Sequence, residues 1–348
     1  MNKERDRVEM ESGKGLWAIV LAGGEGVRLK GLARRVCGEE RPKQYVPLLE
    51  RRTLLRQTLD RIRLKIEPEQ TVVVTVWDHA RYQDAVPAGD RKPHFLVQPF
   101  SRGTAAGILF PTHWISWRTP GATVAVFPSD HFVGDEAAFM VHIIEVAGWV
   151  ERHPERIVMV GAHPSGPEVE YGWIEPGEPL GAVRSGSIRA VRRFVEKPSE
   201  EVARRCLAGG CVWNTMVVVA KVRALLQLGQ ERLPDMNERL AHIGAFAGTR
   251  LEAWAVRQAF ELIPTDNFSR SVLSFCPPAL AVSELPPLEW SDLGTPRRVF
   301  KLMRDHGLRP WWLARAVSER LITLPQLSSA NGIGALLQRC STRSRAPG

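Results

Sequence analysis

Short unbroken apolar runs, recurring between helix-length segments, constrain this chain more than any other feature. The first is LWAIVLA (residues 16–22), which ends in Gly23-Gly24. A run of that length without polar alternation reads as a strand covered on both faces, the environment of a parallel sheet. Apolar residues at Leu54, Leu55, Leu59, Ile62 and Ile66 then recur at helical spacing across residues 53–66, and TVVVTVW (71–77) follows as a second buried strand. Together these form a βαβ unit. The alternation continues with HFLV (94–97), a helix over 104–117, ATVAVF (122–127), a helix over 136–152 and RIVMVG (156–161). Such a pattern predicts an α/β fold whose mostly parallel sheet carries helices on both faces.

From Pro164 to Gly186 the sequence turns rich in Pro and Gly, which predicts a long loop or an irregular hairpin at the rim. Beyond it the pattern gives a strand over 188–195, a helix over 200–208, a strand over 216–220, a helical region over 221–262, a strand over 279–285 and a helix over 295–305. The expected organisation is a polar lead over 1–15, one main domain over 16–305, and a helical segment with a weakly ordered basic tail over 306–348. There is no internal repeat, and no hexapeptide period of the kind that builds a C-terminal left-handed β-helix.

Charge narrows the partners. The net charge of +9 comes from 47 Lys+Arg against 38 Asp+Glu, with basic pairs at Arg34-Arg35, Arg51-Arg52 and Arg192-Arg193. That balance suits small anionic substrates. No basic helix with base-reading spacing and no basic strand interleaved with aromatics is present, so no nucleic-acid partner is expected. Five cysteines include no C-x-x-C pair, and the odd count argues against a disulfide framework. The charged first fifteen residues lack the apolar run of a signal peptide, and no stretch is apolar for long enough to span a bilayer. A soluble protein in a reducing cytoplasm is the expectation, with no membrane association.

Two loops carry the first chemistry. LAGGEGVRLKGL (21–32) follows the first strand. Its glycines at 23, 24 and 26 let backbone amides approach phosphate oxygens, and Arg28 adds a forked cation. The spacing is neither G-x-G-x-x-G nor a P-loop. RPKQ (41–44) places Lys43 behind a rigid proline as a point charge suited to a triphosphate. Taken singly, the first reads better as a plain tight turn and the second as a solvated lysine.

Together, LAGGEGVRL and RPKQ resemble the signature of the sugar-phosphate nucleotidyltransferases, and among them the mannose-1-phosphate guanylyltransferase branch. Further segments follow in that family's order: QPFSRGTAAGI (98–108), FPSDH (127–131), EYGWIE (170–175), FVEKP (194–198), VWNT (212–215) and WSDLGTP (290–296). The resemblance, which covers about residues 16–305, implies a Rossmann-like, GT-A-like three-layer sandwich with a mixed, mostly parallel sheet. It implies that Ala22, Gly23, Gly24, Gly26, Arg28, Lys43, Gln98, Gly103 and Thr104 bind the nucleotide, and that Gly172, Glu175, Glu196, Lys197 and Asn214 bind the sugar phosphate. It assigns Arg28, Lys43, Asp130 and Asp292 to catalysis, with Asp130 and Asp292 as carboxylates for Mg²⁺. The bland alternatives are a helix cap at Ser101, another at Asp130, a β-turn at Gly172, an exposed ion pair at Glu196-Lys197 and a structural role for His131.

The implied reaction is transfer of a nucleoside monophosphate from an NTP, GTP by preference, to a sugar 1-phosphate, mannose 1-phosphate by preference, with release of pyrophosphate. Such chemistry needs positioning and charge neutralisation more than a protein nucleophile. A homodimer is compatible with the resemblance. Val27 stands where the family commonly has Thr or Ser, Lys30-Gly31 where an aromatic or basic residue and Pro are usual, and Met216 where Gly is frequent; these departures bear on selectivity. Two other functions stay open at this point. One is transfer from UTP or dTTP to glucose 1-phosphate; the other is a non-catalytic nucleotide-sugar-binding protein on the same fold.

Overall fold

The computed structural model describes residues 15–85, 91–275 and 278–318. Most of the polar lead and nearly all of the basic tail expected from the sequence lie outside those residues. The chain divides into two compact units. Of the described residues, one unit takes 15–24, 58–85, 91–129, 133–275 and 278–290, and the other takes 25–57, 130–132 and 291–318.

The larger unit is built on nine strands: β1 (Leu16–Leu21), β2 (Thr71–Val76), β3 (His94–Gln98), β4 (Thr123–Pro128), β5 (Ile157–Ala162), β6 (Gly172–Val183), β7 (Gly186–Glu196), β8 (Val212–Lys221) and β9 (Leu280–Glu284). They lie in the order β3-β2-β1-β4-β8-β5-β9-β7-β6, with β6 also pairing β8. Pairs β1–β2, β1–β4, β2–β3 and β5–β9 are parallel, whereas β8 runs antiparallel to β4 and β5, and β7 antiparallel to β9 and β6. Seven strands therefore share one direction and two oppose it, a mixed, mostly parallel sheet as the sequence predicts. The Pro- and Gly-rich stretch resolves into the β6–β7 hairpin at the sheet edge, whose register shifts near Pro176 and Pro179 because proline cannot donate to the ladder.

Strand parity separates two faces. Ile19, Val72, Val74, Val124, Val126, Met159 and Val218 join one cluster with α3 (Gly103–Arg118) and with α6 (Val222–Arg232), α7 (Pro234–His242) and α8 (Glu252–Leu262). The alternate residues Ala18, Val20, Val73 and Phe127 are equally buried but outside that cluster. Phe127 meets Phe139 of α4 (Glu136–Arg152), ring centroids 6.3 Å apart, which places α4 on the opposite face. Each fully buried Ile or Val here contributes about 1.5–3 kcal/mol relative to exposure. The result is a three-layer α/β sandwich. Expected helices over 136–152 and 200–208 coincide with α4 and α5 (Glu200–Ala208), whose side-chain caps are Asp135 and Ser199. The strand expected from Met216 begins earlier, at Val212, because VWN also pairs with Ala162, Gly161 and β6.

The smaller unit folds around Leu29, Leu32, Val36, Leu48, Leu54, Val299, Leu302, Met303 and Trp312. Its helices are α1 (Lys30–Cys37), whose first residues belong to the segment 21–32 expected as a glycine loop, α10 (Pro296–Asp305) and α11 (Trp311–Ser318). Gly38, at φ 81°, ends α1 in the left-handed region. Arg315 of α11 donates to the Arg35 and Val36 carbonyls, and the buried Trp312 indole donates to the Leu48 carbonyl at 3.0 Å. Helix α2 (Leu54–Arg63) runs through the sequence boundary between the two units.

Candidate active site

Because β1, β2 and β3 are parallel neighbours, their carboxyl ends lie along one rim, where open α/β sheets take ligands. Ala22 extends the ladder by one residue, its amide donating to the Val74 carbonyl at 2.7 Å, and it is fully buried. A cavity of about 140 Å³ opens beside it, lined by Gly23, Gly24, Val76, Gln98, Gly103 and Thr104 among others. The nucleotide-side residues Gly23, Gly24, Gln98, Gly103 and Thr104 are thus brought together. Gly103 has φ 79°, and a Cβ on it would run into the Asp266 carbonyl; only glycine fits. Thr104 Oγ1 accepts from the Phe268 amide at 2.9 Å, which ties α3 to the short α9 (Phe268–Ser271). The alternative of a Ser101 helix cap does not hold: the cap position is Arg102, without a side-chain cap, and the Asp266 carbonyl accepts from the Ala105 amide.

The smaller unit gathers the charged residues. Gly26 has φ 59°, and a Cβ there would lie 2.8 Å from the Lys43 nitrogen and 2.9 Å from Lys43 Cβ. The glycine loop and the RPKQ turn are packed backbone to backbone. Pro42, at φ −59° and ψ 141°, leads into a single 3₁₀ turn over Lys43–Tyr45. Lys43 is buried, and its ammonium lies 3.1 Å from Asp130 Oδ2 while donating to the Asp292 carbonyl oxygen at 2.5 Å. A buried cation is tolerated only with such partners.

Asp292 Oδ1 accepts from the Gly294 amide at 2.8 Å and from Arg298 Nη1 at 3.0 Å. A Cβ on Gly294 would collide with that carboxylate and sit 3.0 Å from Arg28 Nη2, so glycine there lets Arg28 and Asp292 draw close. Burial alone would raise the Asp292 carboxyl; the charges of Lys43, Arg298 and His131 and the Gly294 amide together outweigh it and hold the group below its ordinary value. His131 Nε2 is 3.7 Å from Asp130 Oδ1. Arg28, Lys43, Asp130 and Asp292 therefore form one cluster. The helix-cap alternative for Asp130 fails, since Asp135 is the residue that accepts from the Ala138 amide.

Arg298 was missed in the sequence, though a signal existed. Arg297 and Arg298 occupy the first turn of α10, where the helix dipole disfavours cations, and an anionic partner was therefore to be sought. Among the described residues no three His, Cys, Asp or Glu side chains converge to hold a metal. Two carboxylates nevertheless fit a hard cation that keeps water and phosphate as its other ligands.

The residues expected on the sugar side lie in the larger unit, Gly172 and Glu175 on β6, Glu196 on β7, Lys197 one position past the end of β7 and Asn214 on β8. Gly172 is registered against Glu196, and a Cβ on it would lie 2.9 Å from Glu196 Oε2 and 3.3 Å from Asn214 Cβ. Gly172, Glu196 and Asn214 converge, on an extended strand pair that excludes the β-turn reading. Burial pushes the Glu196 carboxyl up, opposed by the charges of Lys197 and Arg270. Lys197 takes φ 47°, its amide donating to the Tyr171 carbonyl at 3.2 Å, and its side chain is exposed. Glu175 does not join them. Three positions along β6 it faces the other way, and it pairs with Arg192 at 3.4 Å and Arg193 at 3.2 Å. Arg270 and Ser269 on α9, which border this group, carried no recognisable sequence signal.

Residues 17–307 match the family model described as Nucleotidyl transferase. The chain is 30% identical over 286 residues to the xanthan biosynthesis protein XanB of Xanthomonas campestris pv. campestris, covering 80% of this chain and 57% of that protein. It is 26% identical over 288 residues to a mannose-1-phosphate guanylyltransferase of Escherichia coli, covering 80% and 58%. A crystal structure of mannose-1-phosphate geranyltransferase from Thermus thermophilus is similar at a TM-score of 0.66 and 27% identity, covering 82% of this chain and 79% of that one. The chain spans little more than half the length of these curated relatives.

Proposed function

The chain belongs to the nucleotidyl transferase family, and from that premise we propose that it transfers a guanylyl group from GTP to mannose 1-phosphate, giving GDP-mannose and pyrophosphate. The observation that carries this reading is the cluster in which the buried Lys43 ammonium lies against Asp130 and the Asp292 carbonyl, with Arg298 on the Asp292 carboxylate. The names borne by the Escherichia coli and Thermus thermophilus proteins support mannose 1-phosphate as the acceptor.

In this reading the cavity beside Gly23, Gln98 and Gly103 receives the base, and amides of the glycine loop face the triphosphate. Arg28 and Lys43 screen the repulsion between two polyanions and stabilise charge on departing pyrophosphate. Asp130 and Asp292 hold Mg²⁺, which when bound supplies further neutralisation at the phosphates. Glu196 accepts hydrogen bonds from sugar hydroxyls, the Asn214 carboxamide contacts the sugar beside it, and Lys197 holds the sugar's phosphate. The phosphate oxygen then attacks the α-phosphorus in line, without a protein nucleophile. No helix among the described residues is long and apolar enough to cross a membrane.

The test is a grid of GTP, UTP and dTTP against mannose 1-phosphate and glucose 1-phosphate, with and without Mg²⁺, read by pyrophosphate release. The expected maximum is GTP with mannose 1-phosphate, in the presence of Mg²⁺. A maximum at UTP or dTTP with glucose 1-phosphate would replace the substrate pair, and silence across the grid would refute transfer.

A further inference from the structure

Met216 stands in an unusual backbone conformation for its residue type. Its φ is 59°, in the left-handed region that L side chains rarely adopt, inside strand β8 and two residues past Asn214. Both polar ends of the Asn214 carboxamide meet this one residue. Asn214 Oδ1 accepts from the Met216 amide at 2.9 Å, and Asn214 Nδ2 donates to Met216 Sδ at 3.3 Å. The backbone amide can only donate, so it fixes which end of the carboxamide is oxygen, and the nitrogen is left to the sulfur. The thioether is held in its turn, because the buried Ser269 hydroxyl donates to Sδ at 3.1 Å. Asn214 is itself buried and stands beside Gly172 and Glu196.

We propose that Met216 is a positioning residue for the sugar end of the substrate: through its amide and its sulfur it holds the Asn214 carboxamide in one orientation. The inference rests on the reading of Asn214 as a sugar ligand. The peptide plane that leads into Met216 presents its amide to Asn214 Oδ1, and the left-handed φ then sets the direction of the side chain from that plane, with Sδ reaching Asn214 Nδ2. Glycine would take the same φ without strain, but it would leave Nδ2 without its sulfur partner.

The experiment uses the full chain and three variants, Met216→Gly, Met216→Leu and Met216→Gln, with separate KM values for mannose 1-phosphate and GTP, kcat, and thermal midpoints. Gly removes the acceptor and relieves the backbone; Leu keeps the bulk and removes the acceptor; Gln restores an acceptor on a chain of similar length. Loss of one orienting hydrogen bond should raise the KM for mannose 1-phosphate about fivefold in Gly and Leu, with the KM for GTP within about twofold, and Gln should return most of the loss. Relief of the left-handed strain in the Gly variant offsets part of the lost packing and hydrogen bonding, and the thermal midpoints, with all three variants folded at the assay temperature, separate a sugar-binding defect from unfolding. An unchanged sugar KM in Gly and Leu, or equal changes for both substrates, would overturn the proposal. A parent chain that releases no pyrophosphate would overturn the functional reading and this inference with it.

Discussion

Substitution of Gly26 by alanine probes the most demanding close approach in the charged cluster. At φ 59° the added Cβ would lie 2.8 Å from the Lys43 nitrogen and 2.9 Å from Lys43 Cβ. The left-handed conformation costs an L residue about 1–2 kcal/mol, and overpacking against fixed backbone about 1–3 kcal/mol more. The expected loss is about 2–5 kcal/mol, which corresponds to a fall in thermal midpoint of about 3–7 °C for a chain of this size. Relief would come from pushing the RPKQ turn outward and carrying the Lys43 ammonium off Asp130. Displacement by about an ångström costs up to about a hundredfold in rate, so turnover should fall by at least about tenfold in the fraction that remains folded. Gly24→Ala is the control, because no atom lies within 4 Å of its new Cβ and its φ is not positive. Its midpoint should stay within about 1 °C of the parent, and only nucleotide binding should weaken. Calorimetry and pyrophosphate release read both variants. If Gly26→Ala kept its midpoint within 1 °C and its turnover within twofold, the packing of loop on turn would not matter in solution.

Further outcomes follow from the titrating groups. Asp292→Asn removes the anion between Lys43 and Arg298 and should lower turnover by about a hundredfold; because the native carboxyl is held below its ordinary value, its stabilising effect exists above the unfolded pKa and disappears as pH falls through the folded one, so parent and variant midpoints should converge below about pH 4. Glu196 is shifted the other way, chiefly by burial, so its ionised form destabilises the fold as pH rises through the raised pKa. Glu196→Gln should therefore melt higher at pH 7, converge with the parent in acid, and bind mannose 1-phosphate less well; a lower midpoint at pH 7 would contradict the burial argument. His142, buried with Ser185 and Ser283 on its two nitrogens, has its pKa lowered to about 4 from 6.5, chiefly by burial. The unfolded chain takes up that proton first, so stability should decline as pH drops from about 6.5 to about 4. His142→Gln should flatten the midpoint-against-pH curve over that window, and an unchanged slope would place the titration elsewhere.

Local pattern made much of this protein legible. Period and run length gave the strands around Leu16–Leu21 and Thr71–Val76 and the helix Glu136–Arg152, because each depends on neighbours within a few residues. Ordered motifs led to Gly103, whose left-handed turn only glycine fits, and to Lys43, Asp130 and Asp292, which the structure brings into one cluster. What tertiary structure alone decided is where long-range partners meet. No spacing rule foretells that β8 inserts antiparallel between β4 and β5, since strand order is settled by which faces are covered across the whole sheet. Glu175 matched a motif yet turns toward Arg192 and Arg193, because an odd offset from Gly172 along a strand reverses the face. Lys43 and Asp292 stand 249 positions apart, and the contact between them, like the bond from the Ser269 hydroxyl to the Met216 thioether, exists only once the backbone has closed. Sequence fixes which groups are available and which segments carry them; distance and direction between groups on separate segments are properties of the packed chain, where burial and charge are shared among residues that no local window contains.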